Sequence, residues 1–168
     1  ARLLEGDWEI VAGGNMFRRE WFEIVTEAPA VMRRVRFWDL AASAVKEGRD
    51  PDWTAGALVS ITPQKIGSLE DIRRVRTTPK GVEDLIRQTA AADSARYGSV
   101  DIWMEEEPGA SGKIVIDHYQ REVLSQHSFR GIRSTGPKEE IAKPLSAAGE
   151  AGNFKLVAGT WNHDWLNQ

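Results

Sequence analysis

The amino-acid sequence predicts an α/β protein built on a mixed β-sheet with helices packed on its faces. Two observations indicate this class: three strand-like segments follow one another in the first half, and strands alternate with helices in the second half. Successive strands with short links form an antiparallel meander, whereas strand–helix–strand units add parallel strands. The chain has 168 residues, of which 41% are hydrophobic, and this is enough for one domain with its own core.

Three segments in the first half carry the patterns of β-strands. Residues 34–41 form a short apolar run, and a second run over residues 53–61 ends at Pro63. A third strand is expected within residues 65–76. The short links between these segments predict that the three strands are neighbours in the sheet.

Helices and strands then alternate. Thr78 and Pro79 predict the N-cap and first residue of a helix that continues to about residue 95. Gly152 is expected to end a later helix, because Gly readily adopts the left-handed conformation that stops helices. The expected elements after the first helix are a strand over residues 100–105, a helix after Gly112, a strand over residues 128–133, a helix over residues 138–151 interrupted by Pro144, a strand over residues 154–157 and a helix opening at residues 161–166.

The N-terminal residues 1–30 show little regular periodicity. Phe17, Trp21 and Val25 fall at approximate helical spacing, which predicts a short amphipathic segment docked on the domain. We expect residues 1–30 to lead in from an upstream domain and residues 31–168 to form the domain itself. Since the chain starts with Ala and stops abruptly, we expect a fragment that is truncated at its C-terminus.

The composition excludes several classes of site. The chain has no Cys, which excludes disulfides, zinc–thiolate centres and Cys nucleophiles, and its three His show no mutual metal-ligand spacing. No segment approaches the roughly 20 apolar residues of a membrane span, so no membrane partner is expected. The net charge of −3 disfavours a dedicated nucleic-acid-binding domain. Arginines nevertheless cluster at residues 33–36 and 73–76, either as a locally basic face or as ordinary edge-strand charges.

Two acidic positions end apolar runs that are far apart in the chain. Asp39 lies inside the first predicted strand, where an ionised carboxylate costs on the order of several kcal/mol unless something compensates it. Glu105 ends the fourth predicted strand, and strand alternation points Glu106 to the opposite face. Two strands that end in carboxylates can build a divalent-metal site. The alternatives are an Asp39 bonded to amides or an Arg, and a solvated acidic loop at residues 105–107.

Other charged residues are candidates beside such a site. Asp52 opens the second strand and either approaches the same metal or belongs to a turn around the preceding proline. Residues 109–113 lack the spacing of a Walker phosphate loop. A Gly-rich helix start with Lys113 in its first turn can still receive a DNA phosphate, although a simple strand-to-helix turn explains it equally. Lys138 and Lys143 are further candidate phosphate contacts.

Four stretches are distinctive when taken together: Arg36-Phe37-Trp38-Asp39-Leu40-Ala41-Ala42, Asp50-Pro51-Asp52-Trp53-Thr54-Ala55-Gly56, Glu107-Pro108-Gly109-Ala110-Ser111-Gly112-Lys113 and Gly149-Glu150-Ala151-Gly152-Asn153. In this order they resemble the C-terminal nuclease domain of tailed-bacteriophage large terminase subunits. The lead-in at residues 15–22 resembles the segment that follows the ATPase domain in that family.

The resemblance implies a ribonuclease H-like fold with helices on both faces of the sheet. It implies a metal-dependent endonuclease that cuts concatemeric viral DNA when packaging starts and ends. Asp39 matches the family's first catalytic Asp, and Glu105 matches the second acidic residue. Asp52 matches a frequently acidic position beside the site, and Lys138 matches a position that is often basic.

The family's third carboxylate is an Asp in a His-Asp-Asp-like motif well past the last strand. Here His163-Asp164-Trp165 is similar to that motif in its residues. It directly follows Thr160-Trp161-Asn162, however, and this setting is typical of the N-terminus of an element. We therefore expect the third Asp either at Asp164 or, more in keeping with the family, beyond Gln168. In the second case this chain lacks one metal ligand.

The implied chemistry is phosphodiester hydrolysis with two Mg²⁺ or Mn²⁺ ions, since hard carboxylate oxygens suit these metals. Asp39 and Glu105 would be the ligands, and cutting would show little sequence preference. The implied partners are double-stranded DNA, the terminase ATPase domain, the small terminase subunit and the portal, in the host cytoplasm. Two alternatives stay open: another ribonuclease H-like enzyme of the integrase or resolvase type, and a non-catalytic portal or partner docking domain.

Overall fold

The structure, a computed structural model, describes residues 16–41, 52–133 and 136–167. Its strands are β1 (Glu23–Val25), β2 (Arg33–Asp39), β3 (Thr54–Ile61), β4 (Gly67–Val75), β5 (Asp101–Glu106), β6 (Phe129–Arg133) and β7 (Phe154–Val157). Its α-helices are α1 (Pro79–Tyr97), α2 (Ala110–His118), α3 (Lys138–Glu150) and α4 (Asn162–Leu166). A 3₁₀ turn at Arg19–Trp21 precedes β1, and a π-helical turn at Tyr119–Val123 continues α2.

The strands form one mixed seven-stranded sheet in the order β1-β7-β4-β3-β2-β5-β6. Pairing is parallel between β1 and β7, β4 and β7, β2 and β5, and β5 and β6. The amide of Ala41 donates to Thr54 Oγ1 at 3.0 Å, which puts the end of β2 beside the start of β3. The amide of Met32 donates to the carbonyl of Ile61 at the other end, so β2 and β3 run in opposite directions. The predicted α/β class is therefore confirmed.

The chain divides into two compact units. The terminal unit comprises the described residues within Ala1–Arg33, Val59–Asp71 and Gly136–Gln168. The central unit comprises those within Arg34–Leu58 and Ile72–Thr135.

The core of the central unit lies between one face of its strands and the helices that follow them. Trp38 of β2 and Met104 of β5 are fully buried against Ile86 of α1. The helix α1 begins as predicted, because the amide of Gly81 donates to the side chain of Thr78 at 3.2 Å and Pro79 occupies the first turn. The other members of this core are Ala90, Ile102, Tyr119, Val123 and Leu124.

A buried ion pair joins β2 to α1. Arg36 Nε and Nη2 donate to the two carboxylate oxygens of Asp93, each at 2.8 Å, and Arg36 Nη1 donates to the carbonyl of Gly56 at 3.1 Å. The side chains of Arg36 and Asp93 are only 1% and 6% exposed. The bidentate geometry satisfies both charges, which makes burial of the pair tolerable. Arg36 is thus a structural residue of the interior and not part of a basic surface.

In the terminal unit, Phe22 packs edge-on against Phe154 at 6.1 Å and against Trp165 at 5.3 Å between ring centroids. The helical segment expected over residues 17–25 is wrong: a 3₁₀ turn is followed by β1, which pairs with β7. A helix this short is only marginally stable in water, whereas pairing with β7 gives β1 interstrand hydrogen bonds. Gly152 has φ of 72°, which confirms its predicted role after α3.

Pro144 lies inside α3 and does not interrupt it, contrary to expectation. Proline inside a helix removes one backbone hydrogen bond and crowds the carbonyl four residues earlier, which kinks a helix without always ending it, and α3 continues to Glu150. None of the helices in the described parts of the chain is long and apolar enough to cross a membrane.

Replacing Asp93 with Ala leaves the buried guanidinium of Arg36 without its carboxylate. We expect the free energy of unfolding to fall by about 3–5 kcal/mol, measured by urea denaturation. The matched control is Asp84→Ala on the same helix, where the carboxylate pairs with Lys80 at the surface at 2.8 Å. This control is expected to change the free energy by less than about 0.5 kcal/mol. Equal effects of the two variants would contradict a structural role for the buried pair.

Candidate active site

The parallel register of β2 and β5 places two carboxylates side by side. Val35 lies opposite Asp101 and Trp38 lies opposite Met104, so the next step of this register sets Asp39 opposite Glu105. Neighbouring strands are about 4.8 Å apart, and partners in a parallel pair point to the same face. Asp39 and Glu105 therefore meet where both strands reach their carboxyl ends.

Strand alternation fixes the face on which this carboxylate pair lies. Trp38 and Met104 point into the core beneath α1 and α2, so their successors Asp39 and Glu105 point to the opposite face. Asp39 is exposed and Glu105 is partly exposed. The pair is consequently accessible from solvent, while the adjacent aromatic and thioether side chains hold both strands in the core.

Two neighbouring carboxylates on rigid strands suit a hard divalent cation, because such ions take carboxylate oxygens as ligands. Within residues 16–41, 52–133 and 136–167, no group of three or more His, Cys, Asp or Glu side chains is arranged to hold a metal ion. The donor set of this pair fits such an ion in kind, and a third ligand is expected from elsewhere.

The two glutamates after Glu105 have other environments. Glu106 points to the core face, and its Oε2 accepts from Arg133 Nε at 2.5 Å. Glu107 follows the strand and is exposed. Its backbone carbonyl packs so closely on Gly112 that a Cβ there would collide with it. The glycine in this turn is thus required by the close approach of the strand end to α2.

Asp52 lines a cavity of about 350 Å³ in the central unit. Val82 and Glu83 of α1 and Ile114 and His118 of α2 contribute to its wall, on the core face of the sheet. Neither carboxylate of the pair on the opposite face is among the described lining residues of this cavity. The metal-ligand role of Asp52 stays a prediction.

A polar cluster in this cavity was not predicted from the sequence. His118 Nε2 lies 2.6 Å from Glu83 Oε1, and the buried Tyr119 lies beside them. Burial, followed by the negative charge of Glu83, raises the pKa of Tyr119 from 10.0 to about 12. No local signal links Glu83 to His118, because 35 residues separate them.

The predicted phosphate contacts lie on helices. Lys113 is exposed in the first turn of α2, and Lys143 is exposed in α3. Lys138 begins α3, and its side chain lies outside the described residues. Asp164, a candidate third carboxylate, lies in α4 of the terminal unit with its Oδ1 3.7 Å from His163 Nδ1. Their proposed roles stay predictions.

A family described as "Terminase RNaseH-like domain" matches residues 36–168. The chain belongs to this family. The stretch includes both residues of the carboxylate pair, and the sequence resemblance to large terminase nucleases is confirmed. A search of curated proteins finds no match.

Solved structures share the fold. The large terminase nuclease from thermophilic phage G20c with bound magnesium aligns at a TM-score of 0.56 and 13% identity, over 94% of this chain and 81% of that one. Crystal structures of the same nuclease contain zinc or cobalt. The HK97 bacteriophage large terminase aligns at a TM-score of 0.51 and 11% identity, over 84% of this chain and 33% of that one. The chain is thus a terminase RNaseH-like domain, and these solved structures share its fold.

The raised pKa of Tyr119 makes stability fall at alkaline pH. Between about pH 10 and 12 the unfolded chain releases this phenol proton while the folded chain keeps it, so rising pH favours unfolding. A shift of two pKa units corresponds to a loss of at most about 3 kcal/mol in the free energy of unfolding. The measurement is the free energy of unfolding from pH 8 to 12, compared with Tyr119→Phe, which removes this contribution. Parallel pH profiles for the two proteins would contradict the assignment.

Proposed function

We propose that this domain is a metal-dependent endodeoxyribonuclease that cuts concatemeric viral DNA during genome packaging. The observation that carries the proposal is the register of β2 and β5, which sets Asp39 beside Glu105 at the carboxyl ends of these two strands. Membership of the terminase family supports the reaction class. The G20c nuclease with bound magnesium supports a divalent metal, and that ion or Mn²⁺ is proposed here.

Asp39 and Glu105 would hold the ions through their carboxylate oxygens, with a third carboxylate from Asp164 or from beyond Gln168. Bound divalent ions would supply charge neutralisation of the scissile phosphate, activation of a water and stabilisation of the leaving oxygen. Two ions are proposed, and Asp39 would hold both of them.

The chain's own contribution is to hold these carboxylates in place before substrate arrives. Asp39 and Glu105 are the direct neighbours of Trp38 and Met104, whose burial restrains both strand ends. The ion pair of Arg36 with Asp93 further ties β2 to α1. Such restraint matters because a ligand displaced by about 1 Å loses much of its catalytic value.

Substrate is proposed to be held by its backbone, with little preference for base sequence, since phosphate contacts position a duplex without reading it. Lys113, Lys138 and Lys143 are proposed phosphate contacts. The ATPase domain, the small terminase subunit and the portal are proposed partners, and the host cytoplasm is the proposed place of action.

The test is cleavage of supercoiled plasmid in Mn²⁺. Asp39→Asn and Glu105→Gln are each expected to lower the rate by at least about 100-fold, because an amide oxygen is a weaker ligand and carries no charge. The matched control is Glu106→Gln, the next residue on the opposite face, which is expected to cut within about threefold of wild type.

Circular dichroism and thermal melting would verify that each variant is folded. Cleavage by Asp39→Asn at the wild-type rate would contradict the proposal. A wild-type chain that neither nicks nor linearises plasmid at any Mn²⁺ concentration would also contradict it.

A further inference from the structure

Arginines stack on tryptophans at two places in the central unit. The guanidinium groups of Arg74 and Arg76 lie 4.5 and 4.3 Å from the ring centroid of Trp53. The guanidinium of Arg130 lies 4.5 Å from the ring centroid of Trp103. Trp53 is 41% exposed, and all three arginines are exposed.

The first stack lies on the same face of the sheet as the carboxylate pair. Arg73 Nη1 reaches Thr89 Oγ1 of α1 at 3.5 Å and Val75 lines the cavity, so these two residues of β4 point to the core face. Arg74 and Arg76 alternate with them and point to the other face. Trp53 precedes the buried Thr54, which also lines the cavity, and it therefore shares the face of the arginines.

The second stack lies on that face as well. Trp103 is two residues before Glu105 in β5, so both side chains point the same way. The parallel register sets Arg130 of β6 opposite Trp103. The order β4-β3-β2-β5-β6 then places one stack on each side of Asp39 and Glu105.

The stacks also lie near the same end of the sheet as the carboxylates. The hydrogen bond from Ala41 to Thr54 sets the start of β3 beside the end of β2, and Trp53 immediately precedes that start. Four strand spacings of about 4.8 Å separate β4 from β6, which gives roughly 19 Å. A DNA strand that rises 3.4 Å per nucleotide covers this width in about six nucleotides.

Stacking suits these arginines to phosphate binding. An aromatic surface restrains the guanidinium plane and reduces the rotamer entropy that each contact with a ligand costs. The N–H donors lie in that plane and match the oxygens of a phosphate. The three arginines put positive charge on both sides of the carboxylate pair, although the chain as a whole has a net charge of −3.

We propose that the Trp53–Arg74–Arg76 stack and the Trp103–Arg130 stack bind the DNA backbone on both sides of the Asp39–Glu105 pair. This inference rests on the proposed function for its substrate and adds the residues that hold it. The stacks contact phosphates that flank the scissile one, so they govern affinity for DNA and leave the chemical step to the carboxylates.

The test is fluorescence anisotropy of a labelled 30-base-pair duplex in EDTA, where no cleavage occurs. The double variant Arg74→Gln/Arg76→Gln is expected to weaken binding at least about tenfold. It should also make the negative slope of log K against log salt shallower by about 1.8. Arg130→Gln is expected to make that slope shallower by about 0.9. Trp53→Ala should weaken binding with both arginines present, and Trp53→Phe should restore most of the affinity.

The matched control is another arginine–aromatic stack at the far end of β2. Arg34 and Arg96 lie 4.1 and 5.2 Å from the ring centroid of Tyr97. Arg34 is five residues before Asp39, roughly 16 Å along the strand. The double variant Arg34→Gln/Arg96→Gln is expected to bind DNA within twofold of wild type.

Wild-type affinity and salt slope in Arg74→Gln/Arg76→Gln would overturn the inference, and so would an equal loss in the Tyr97 control. Plasmid cleavage separates this from the proposed function. If the wild-type chain binds the duplex through these arginines but never cuts, the stacks stand and the nuclease proposal fails. If it cuts and the arginine variants bind normally, the nuclease proposal stands and the stacks fail.

Discussion

The parallel pairing of β2 with β5 is the constraint on which the rest of the site depends. Parallel strands bring their carboxyl ends to one edge, and a shift of the register by one residue would turn Glu105 to the other face. Buried side chains prevent that shift, because Trp38 and Met104 cannot leave the core without exposing large apolar surfaces. Carboxylates 66 residues apart thereby become neighbours.

The two faces of the central unit have separate tasks. One face packs against α1 and α2 and contains the ion pair of Arg36 with Asp93, the apolar core and the cavity with Tyr119. The other face carries the carboxylate pair and the arginine–tryptophan stacks. Alternation along each strand produces this division, so neighbouring residues such as Glu105 and Glu106 have different environments.

Patterns that span a few residues allowed much of this to be predicted. Short apolar runs located the strands, alternation separated Glu105 from Glu106, and Thr78-Pro79 located the start of α1. Asp39 stood out because a carboxylate inside an apolar strand needs compensation. That premise was wrong, since β2 ends at Asp39 and leaves its side chain exposed. The family resemblance added the order of motifs and the fold, which the family match and solved structures confirm.

Features that depend on distant residues could not be predicted. Arg36 and Asp93 are 57 positions apart, and no pattern in the residues around either one indicates that they form a pair. The spacing of apolar residues near residue 20 favoured a helix, but β1 forms there instead, because β7, far along the chain, supplies its hydrogen bonds. The stacks of arginine on Trp53 and Trp103 likewise join separate strands, although clustered arginines at residues 73–76 were visible in the sequence.

The central claim is that two carboxylates on one face of the sheet together hold a divalent ion. Titration of the metal-free chain with Mn²⁺, followed by electron paramagnetic resonance of the free ion, measures this without DNA or turnover. The account predicts that Asp39→Asn and Glu105→Gln each weaken Mn²⁺ binding at least about tenfold, whereas Glu106→Gln binds like wild type. Loss of binding in Glu106→Gln, or unchanged binding in both other variants, would contradict it.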